Sequence, residues 1–159
     1  MNQIRENIAS GNVQGAKVLC AQNNSPVARI TEKGISRIGS PLEDINTAIE
    51  NAGRLEVYKL EKNVSVLATI SGAAPMIGFL GTVIGMVLAF HQLATSSGQA
   101  EMGQLAEGIY TAMTTTVAGL IVGIIAYIGY NYLVVKTDKI VHTMEANAVD
   151  FLDLLNEPS

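Results

Sequence analysis

The chain has 159 residues, of which 48% are hydrophobic and 15% charged, with a formal net charge of -4. This composition favours a small membrane protein over a soluble domain, and the acidic balance argues against a nucleic-acid partner. The single cysteine, Cys20, excludes an intrachain disulfide and has no neighbouring Cys or His for a metal site. No Ser/His/Asp set or phosphate-binding glycine loop is present, so we predict no catalytic residues, cofactor or metal.

The N-terminal segment predicts short amphipathic helices. Ile4 and Ile8 form one apolar face, and the stretch 13–19 forms a second after the break at Gly11 and Asn12. Asn12 is the predicted N-cap of the second helix, because its side-chain oxygen can accept a hydrogen bond from the first turn.

A third helix and a much longer fourth one follow. Apolar residues at helical spacing predict the third helix over 26–38, before Gly39. Ser40 as N-cap, followed by Pro41 and Glu43, fits a capping box that begins a new helix. Its apolar periodicity continues to Leu67 without a strong breaker, so we predict one helix that leaves water and enters the membrane.

Two uncharged runs predict two membrane spans. No Asp, Glu, Lys or Arg occurs between Lys62 and Glu101 or between Glu107 and Lys136. Each run exceeds the roughly 20 residues that cross a hydrocarbon core. We therefore assign 63–90 and 107–135 to transmembrane helices, with a loop over 91–106 and an amphipathic helix over 136–159.

The lysines around the spans predict their orientation. Lys59 and Lys62 precede the first span, Lys136 and Lys139 follow the second, and the loop has no Lys or Arg. By the positive-inside rule, regions 1–62 and 136–159 are cytoplasmic and the loop 91–106 is periplasmic.

Small residues recur along one face of each span. In lipid, such faces let helix backbones approach one another closely. We predict that they are packing faces covered by other copies of the chain, with glycines as the central packing residues. The faces comprise Ser71, Pro75, Gly78, Thr82, Gly85 and Ala89 in the first span and Ala112, Thr116, Gly119, Gly123, Ala126 and Tyr130 in the second. The predicted packing glycines are Gly78, Gly81, Gly85, Gly119 and Gly123.

Hydroxyl side chains accompany these faces. Threonines in membrane helices often bond a backbone carbonyl one turn back, and that interpretation stays open here. The alternative is that Thr82, Thr111, Thr115 and Thr116 line an ion path, since each hydroxyl both donates and accepts. Neither uncharged run, 63–100 or 108–135, contains an Asp, Glu, Lys or Arg residue to mark such a path, so a conducting complex would need a titratable group from another polypeptide.

Motifs in both spans resemble those of a known family. Segments 78–86, 108–113 and 116–120 resemble the MotA/TolQ/ExbB proton channel family, with the ExbB branch as the most similar. The resemblance implies an all-α membrane protein whose long transmembrane helices extend into the cytoplasm, assembled as a homopentameric bundle around a central pore in the cell inner membrane. It also implies a single-span ExbD/TolR-like partner that supplies a transmembrane Asp. Proton flow would then act through a TonB-like protein on outer-membrane transport.

This sequence departs from the family pattern in two respects. Family members have three spans, and the first, which should precede the helices near Met1, is absent from this sequence, so either the chain is truncated or its numbering begins after that span. The best-known relatives carry a glutamate where this chain has Thr111, and the nearest carboxylate here is Glu107. Three alternatives remain open: a Tol-type subunit, a flagellar-type stator and a non-conducting membrane scaffold. Cytoplasmic charges of mixed sign favour the transport branch over the stator.

Overall fold

A computed structural model describes residues 2–95 and 102–156. Every regular element within these two ranges is a helix, as the sequence predicted. Their order along the chain is α1 (Asn2–Ala9), α2 (Val13–Gln22), α3 (Pro26–Ile35), α4 (Leu42–Thr95) and α5 (Met102–Asn156).

Side-chain caps begin the short helices. The Asn12 side chain accepts a hydrogen bond from the backbone N–H of Gly15 at 3.0 Å, which confirms the predicted N-cap of α2. Ser25 does the same for α3 by accepting from the N–H of Ala28 at 3.2 Å. Helix α3 ends at Ile35, earlier than predicted, and a turn leads to Gly39, whose φ of 99° suits glycine.

The start of α4 differs from the capping box predicted at Ser40. The helix begins at Leu42, and the Pro41 carbonyl accepts from the N–H groups of Asp44 and Ile45 at 3.0 and 3.2 Å. Proline therefore takes the capping position, because it has no N–H of its own to leave unpaired.

Helices α4 and α5 are long and continuous, with 54 and 55 residues. They extend into the predicted loop 91–106 from both sides, to Thr95 and from Met102. The sequence there contains leucine and alanine, which favour helix, so the predicted loop boundaries were too wide. The rest of that loop lies outside the described residues, and its periplasmic location stays a prediction.

The described residues divide into two compact units, one within 1–62 and 135–159 and one within 63–134. In the first unit, the apolar faces of the short helices meet residues from α4 and α5. The spacing is tight at Gly34, where an added Cβ would lie 2.6 Å from a ring carbon of Phe151 and 2.8 Å from Ile49 Cδ1. The buried core comprises Ala16, Cys20, Ala28, Ile35, Ile45, Ile49 and Phe151.

Cys20 lies inside this core with 2% of its surface exposed. Burial raises the pKa of its thiol, and the negative charge of Glu32 adds to the effect. The thiol therefore stays protonated at neutral pH.

In the second unit, the two apolar segments pack antiparallel on each other. Gly78 faces Gly119, while Gly85 lies nearer the end of α4 and faces Ala112, nearer the start of α5. The two small-residue faces are thus partners within one chain. The prediction that other copies cover these faces was wrong, because periodicity identifies a packing face but not its partner. The homopentamer itself stays a prediction.

Most of the apolar surface of α4 and α5 is left uncovered. Each helix is long and apolar enough to cross a membrane, and only 11% of its most apolar 18-residue window is buried within the chain. Bulky side chains such as Met76, Phe79 and Ile125 project outward with more than half of their surface exposed. These surfaces suit lipid tails or other chains.

Candidate functional site

The two helices of the second unit meet along a seam made largely of backbone. A Cβ added to Gly119 would lie 2.6 Å from the carbonyl oxygen of Ala74 and 2.8 Å from the Gly78 Cα. A Cβ on Gly78 would lie 2.9 Å from the carbonyl oxygen of Thr115. Real Cβ atoms essentially never approach other atoms so closely. Only glycine fits at these two positions without moving a backbone.

The other three predicted packing glycines lie along the same seam. An added Cβ would come within 2.6 Å of Thr115 Oγ1 at Gly81, of Ala112 Cβ at Gly85 and of a ring carbon of Pro75 at Gly123. The structure therefore places all five glycines between α4 and α5 of a single chain.

This close approach brings three threonine hydroxyls together across the seam. Thr82 Oγ1 donates to the carbonyl of Ala112 at 2.9 Å, and the hydroxyls of Thr82 and Thr116 bond each other. Thr116 Oγ1 also lies 3.1 Å from the Gly78 carbonyl. Thr115 Oγ1 lies 2.7 Å from the Ala112 carbonyl and 3.3 Å from the Gly78 carbonyl.

This cluster can accept further hydrogen bonds more readily than it can donate them. Each hydroxyl has one proton to donate and two lone pairs that accept. The protons of Thr82, Thr115 and Thr116 are directed at backbone carbonyls or at each other, whereas lone pairs remain available. A water, a hydronium ion or a protonated carboxyl group can thus donate to the cluster as it stands. An ionised carboxylate needs a hydroxyl to turn away from its present acceptor.

Thr111 lies apart from these three threonines. It lines a groove of about 660 Å³ between α4 and α5, beside Thr115 and one helical turn from Glu107. The structure therefore brings three of the four predicted ion-path residues together and puts the fourth in an adjoining groove. Its remaining walls are Gly81, Ile84, Gly85, Leu88, Ala89, Gln92, Thr95, Gln104, Gly108 and Ala112.

Sequence reasoning missed a buried carboxylate in the first unit. Glu56 is only 5% exposed, and it accepts hydrogen bonds from Arg29 Nε at 2.8 Å and Lys59 Nζ at 2.7 Å. Burial raises the pKa of Glu56, but the hydrogen bonds from Arg29 and Lys59 outweigh burial and hold it below its usual value. One signal was available, since Glu56 follows the buried Ile45 and Ile49 on the same helical face.

The sequence profile of the MotA/TolQ/ExbB proton channel family matches residues 22–146, a range that contains the seam, the groove and Glu56. The chain belongs to the MotA/TolQ/ExbB proton channel family. This confirms the resemblance drawn from the motifs in the two spans.

Relatives of two kinds align with this member of the family. A biopolymer transport ExbB homolog of Methanothermobacter thermautotrophicus is 30% identical over 142 residues, which cover 89% of this chain and 50% of the relative. The Tol-Pal system protein TolQ of Pseudomonas aeruginosa is 32% identical over 115 residues, which cover 72% of this chain and 49% of the relative. The biopolymer transport protein ExbB of Aquifex aeolicus is 36% identical over 93 residues, covering 57% and 62%. The chain spans about half the length of the first two relatives.

Proposed function

We propose that this chain is the energising subunit of an ion-driven complex in the cell inner membrane. The observation that carries the proposal is the hydroxyl pair of Thr82 and Thr116, which the seam holds together in the middle of two uncharged apolar segments. Hydroxyls that bond one another at that depth and keep lone pairs available can also accept a hydrogen bond from a transported ion or from a titratable partner group.

The chemistry of the seam supports a partner that brings the titratable group. Residues 63–90 and 108–135 contain no Asp, Glu, Lys or Arg, while the hydroxyl cluster has lone pairs to offer. A single-span partner of the ExbD/TolR type, carrying an Asp at the level of Thr82, would donate to this cluster when protonated and not when ionised. The cluster would thereby distinguish the two protonation states of that Asp.

The exposed outer faces of α4 and α5 support the remaining part of the proposal. Copies of the chain, five in number, would surround the partner helix and form the pore between them. Each elementary charge that crosses 100 mV releases about 2.3 kcal/mol, which the complex would deliver through a TonB-like protein to outer-membrane transport.

Threonine-to-valine variants test the proposal. Thr82→Val or Thr116→Val removes a hydroxyl and leaves a partner group unpaired, at about 1–3 kcal/mol. We expect complexes that still assemble but carry about tenfold less ion-driven activity, with the double variant lower than either, and serine should restore function at both positions. The measurement is gradient-driven uptake in cells, combined with the mass of the purified complex.

Thr114→Val is the matched control, because Thr114 bonds the Tyr110 carbonyl of its own helix at 2.9 Å and lies outside the seam. It should keep full activity. Assembled Thr82→Val and Thr116→Val complexes with undiminished uptake would contradict the proposal. They would support a non-conducting scaffold, a second candidate favoured by the fact that all three hydroxyls have acceptors within the chain.

A Tol-type role is the other candidate, because a TolQ protein aligns with 72% of the chain at 32% identity. Complementation separates the two assignments. A chain of the ExbB type restores TonB-dependent uptake to cells without their own ExbB and TolQ, whereas a chain of the Tol type restores their outer-membrane integrity.

Orientation in the membrane is a separate prediction, based on the lysines that flank the spans. A cysteine placed at position 97 should react with a membrane-impermeant thiol reagent added outside the cytoplasmic membrane, and one at Asn147 should not. The opposite labelling pattern would reverse the proposed topology.

A further inference from the structure

Glu107 lies on the wall of the groove that adjoins the hydroxyl cluster. Thr111 and Thr115 follow it along α5 at intervals of one helical turn, and all three residues line the groove. Side chains so spaced lie about 5–6 Å apart on one helical face. The opposite wall includes Gly81 and Gly85, where α4 comes close to Thr115 and Ala112 of α5.

This polar row connects with the centre of the seam. Thr115 Oγ1 lies 3.3 Å from the Gly78 carbonyl, and Thr116 Oγ1 lies 3.1 Å from the same oxygen. Oxygen-bearing side chains therefore recur at one-turn intervals from Glu107 to Thr111 and Thr115, and the Gly78 carbonyl links Thr115 with Thr116 of the hydroxyl pair.

The charge distribution makes Glu107 distinctive. Between Lys62 and Lys136 the sequence contains two acidic residues, Glu101 and Glu107, and no Lys or Arg. Of these two, Glu107 belongs to the described residues and lines the groove. A negative charge in a concave site with low-dielectric walls concentrates cations there.

We propose that Glu107 is the cation-capturing residue of this subunit, and that the groove between α4 and α5 of each chain is a hydrated binding site for a monovalent cation, including hydronium. The carboxylate attracts the cation, and the hydroxyls of Thr111 and Thr115 replace part of its hydration on the way to Thr82 and Thr116. This inference deepens the proposed function and rests on it for the direction of ion movement. The groove itself can be tested separately.

Charged thiol reagents test the groove without ion transport. A cysteine at position 111, in the complete complex in membrane vesicles, should react about fivefold to tenfold faster with a small cationic methanethiosulfonate than with an anionic one of similar size. Glu107→Gln should abolish most of this preference, because the field of the carboxylate is its source. Glu61→Gln, an exposed carboxylate of α4 in the first unit, should leave the preference unchanged.

Two results of this labelling would overturn the proposal. One is a cysteine at position 111 that neither reagent modifies, since the groove would then be dry. The other is a cation preference that persists in Glu107→Gln. Val117 lies beyond the groove, on the exposed apolar surface of α5 that suits lipid tails. A cysteine in its place should resist both charged reagents.

Ion flux into proteoliposomes that contain the chain and its single-span partner supplies the second measurement. Glu107→Gln should raise the cation concentration needed for half-maximal flux about fivefold while leaving the maximal flux within twofold. Parallel gradients of protons and sodium identify the cation. An unchanged half-maximal concentration would overturn the role of Glu107. A wild-type complex without flux, but with the Glu107-dependent labelling preference, would remove the proposed function and leave the cation-binding groove standing.

Discussion

Replacing Gly119 with alanine is expected to destabilise the protein by roughly 3 kcal/mol, although alanine is normally the better helix former. The added methyl group would lie 2.6 Å from the Ala74 carbonyl oxygen and 2.8 Å from the Gly78 Cα. Both contacts are with backbone, so no side chain can rotate away and the two helices must separate. Gly119→Leu should be worse still and should prevent the hairpin from forming. The measurement is thermal unfolding of the detergent-solubilised protein.

Gly72 provides the matched control for this prediction. It lies in α4, and an added Cβ there would meet no atom within 4 Å among the described residues. Gly72→Ala should therefore be neutral or stabilising by up to about 1 kcal/mol. Equal stability of Gly119→Ala and Gly72→Ala would show that the helices do not approach as closely as the structure indicates.

Removing Arg29 should have a comparable effect in the first unit. Arg29→Met leaves Glu56 buried with Lys59 as its remaining cationic partner, and removing one partner of a buried ion pair costs about 3–5 kcal/mol. We expect a loss near the lower end, about 3 kcal/mol, because the Arg29 side chain is 39% exposed. The double variant Arg29→Met with Glu56→Met should recover much of the loss, because it removes both charges.

An exposed ion pair serves as the control. Arg54 and Glu50 lie 4.0 Å apart with most of their side chains in solvent, so Arg54→Met should change stability by less than about 1 kcal/mol. If Arg29→Met behaved like Arg54→Met in thermal unfolding, Glu56 would not depend on Arg29 for its charge.

The same pair predicts a pH dependence. Folding lowers the pKa of Glu56 below its ordinary value of 4.5, because the hydrogen bonds from Arg29 and Lys59 outweigh burial. Its contribution to stability is therefore complete above pH 4.5 and is lost as the pH falls through the lower pKa of the folded state. The stability difference between wild type and Glu56→Gln should stay constant from pH 7 to about 5 and shrink below that. A difference that shrinks near neutral pH would contradict this assignment.

The seam shows what sequence periodicity can and cannot predict. Small residues spaced along one face of each span indicate close packing, because that pattern depends only on helix geometry, and in the structure the two faces lie against each other. The partner of each face could not be predicted, since a face of glycine, alanine and threonine fits its own hairpin partner or another copy equally well. The register of α4 against α5, such as Gly78 facing Gly119, required the structure.

The first unit shows a different limit. In α4, the apolar Leu55 is 63% exposed, whereas the neighbouring Glu56 is only 5% exposed. A glutamate normally points to solvent, and here hydrogen bonds from Lys59 and from Arg29 on a separate helix make its burial favourable. Local sequence patterns do not predict a contact between residues so distant in sequence.

The backbone seam also restricts how the complex could move. Interfaces switch between states when their side chains have two ways to interdigitate, as in the sliding of packed helices. At Gly78 and Gly119 there are no side chains to repack, and the Thr82–Thr116 bond adds a directional link between the same two helices. The two spans of one chain should therefore move together as one rigid helical hairpin. In the proposed complex, mechanical work would then come from hairpins that turn or tilt against neighbouring copies and the partner helix, while each hairpin keeps its internal geometry.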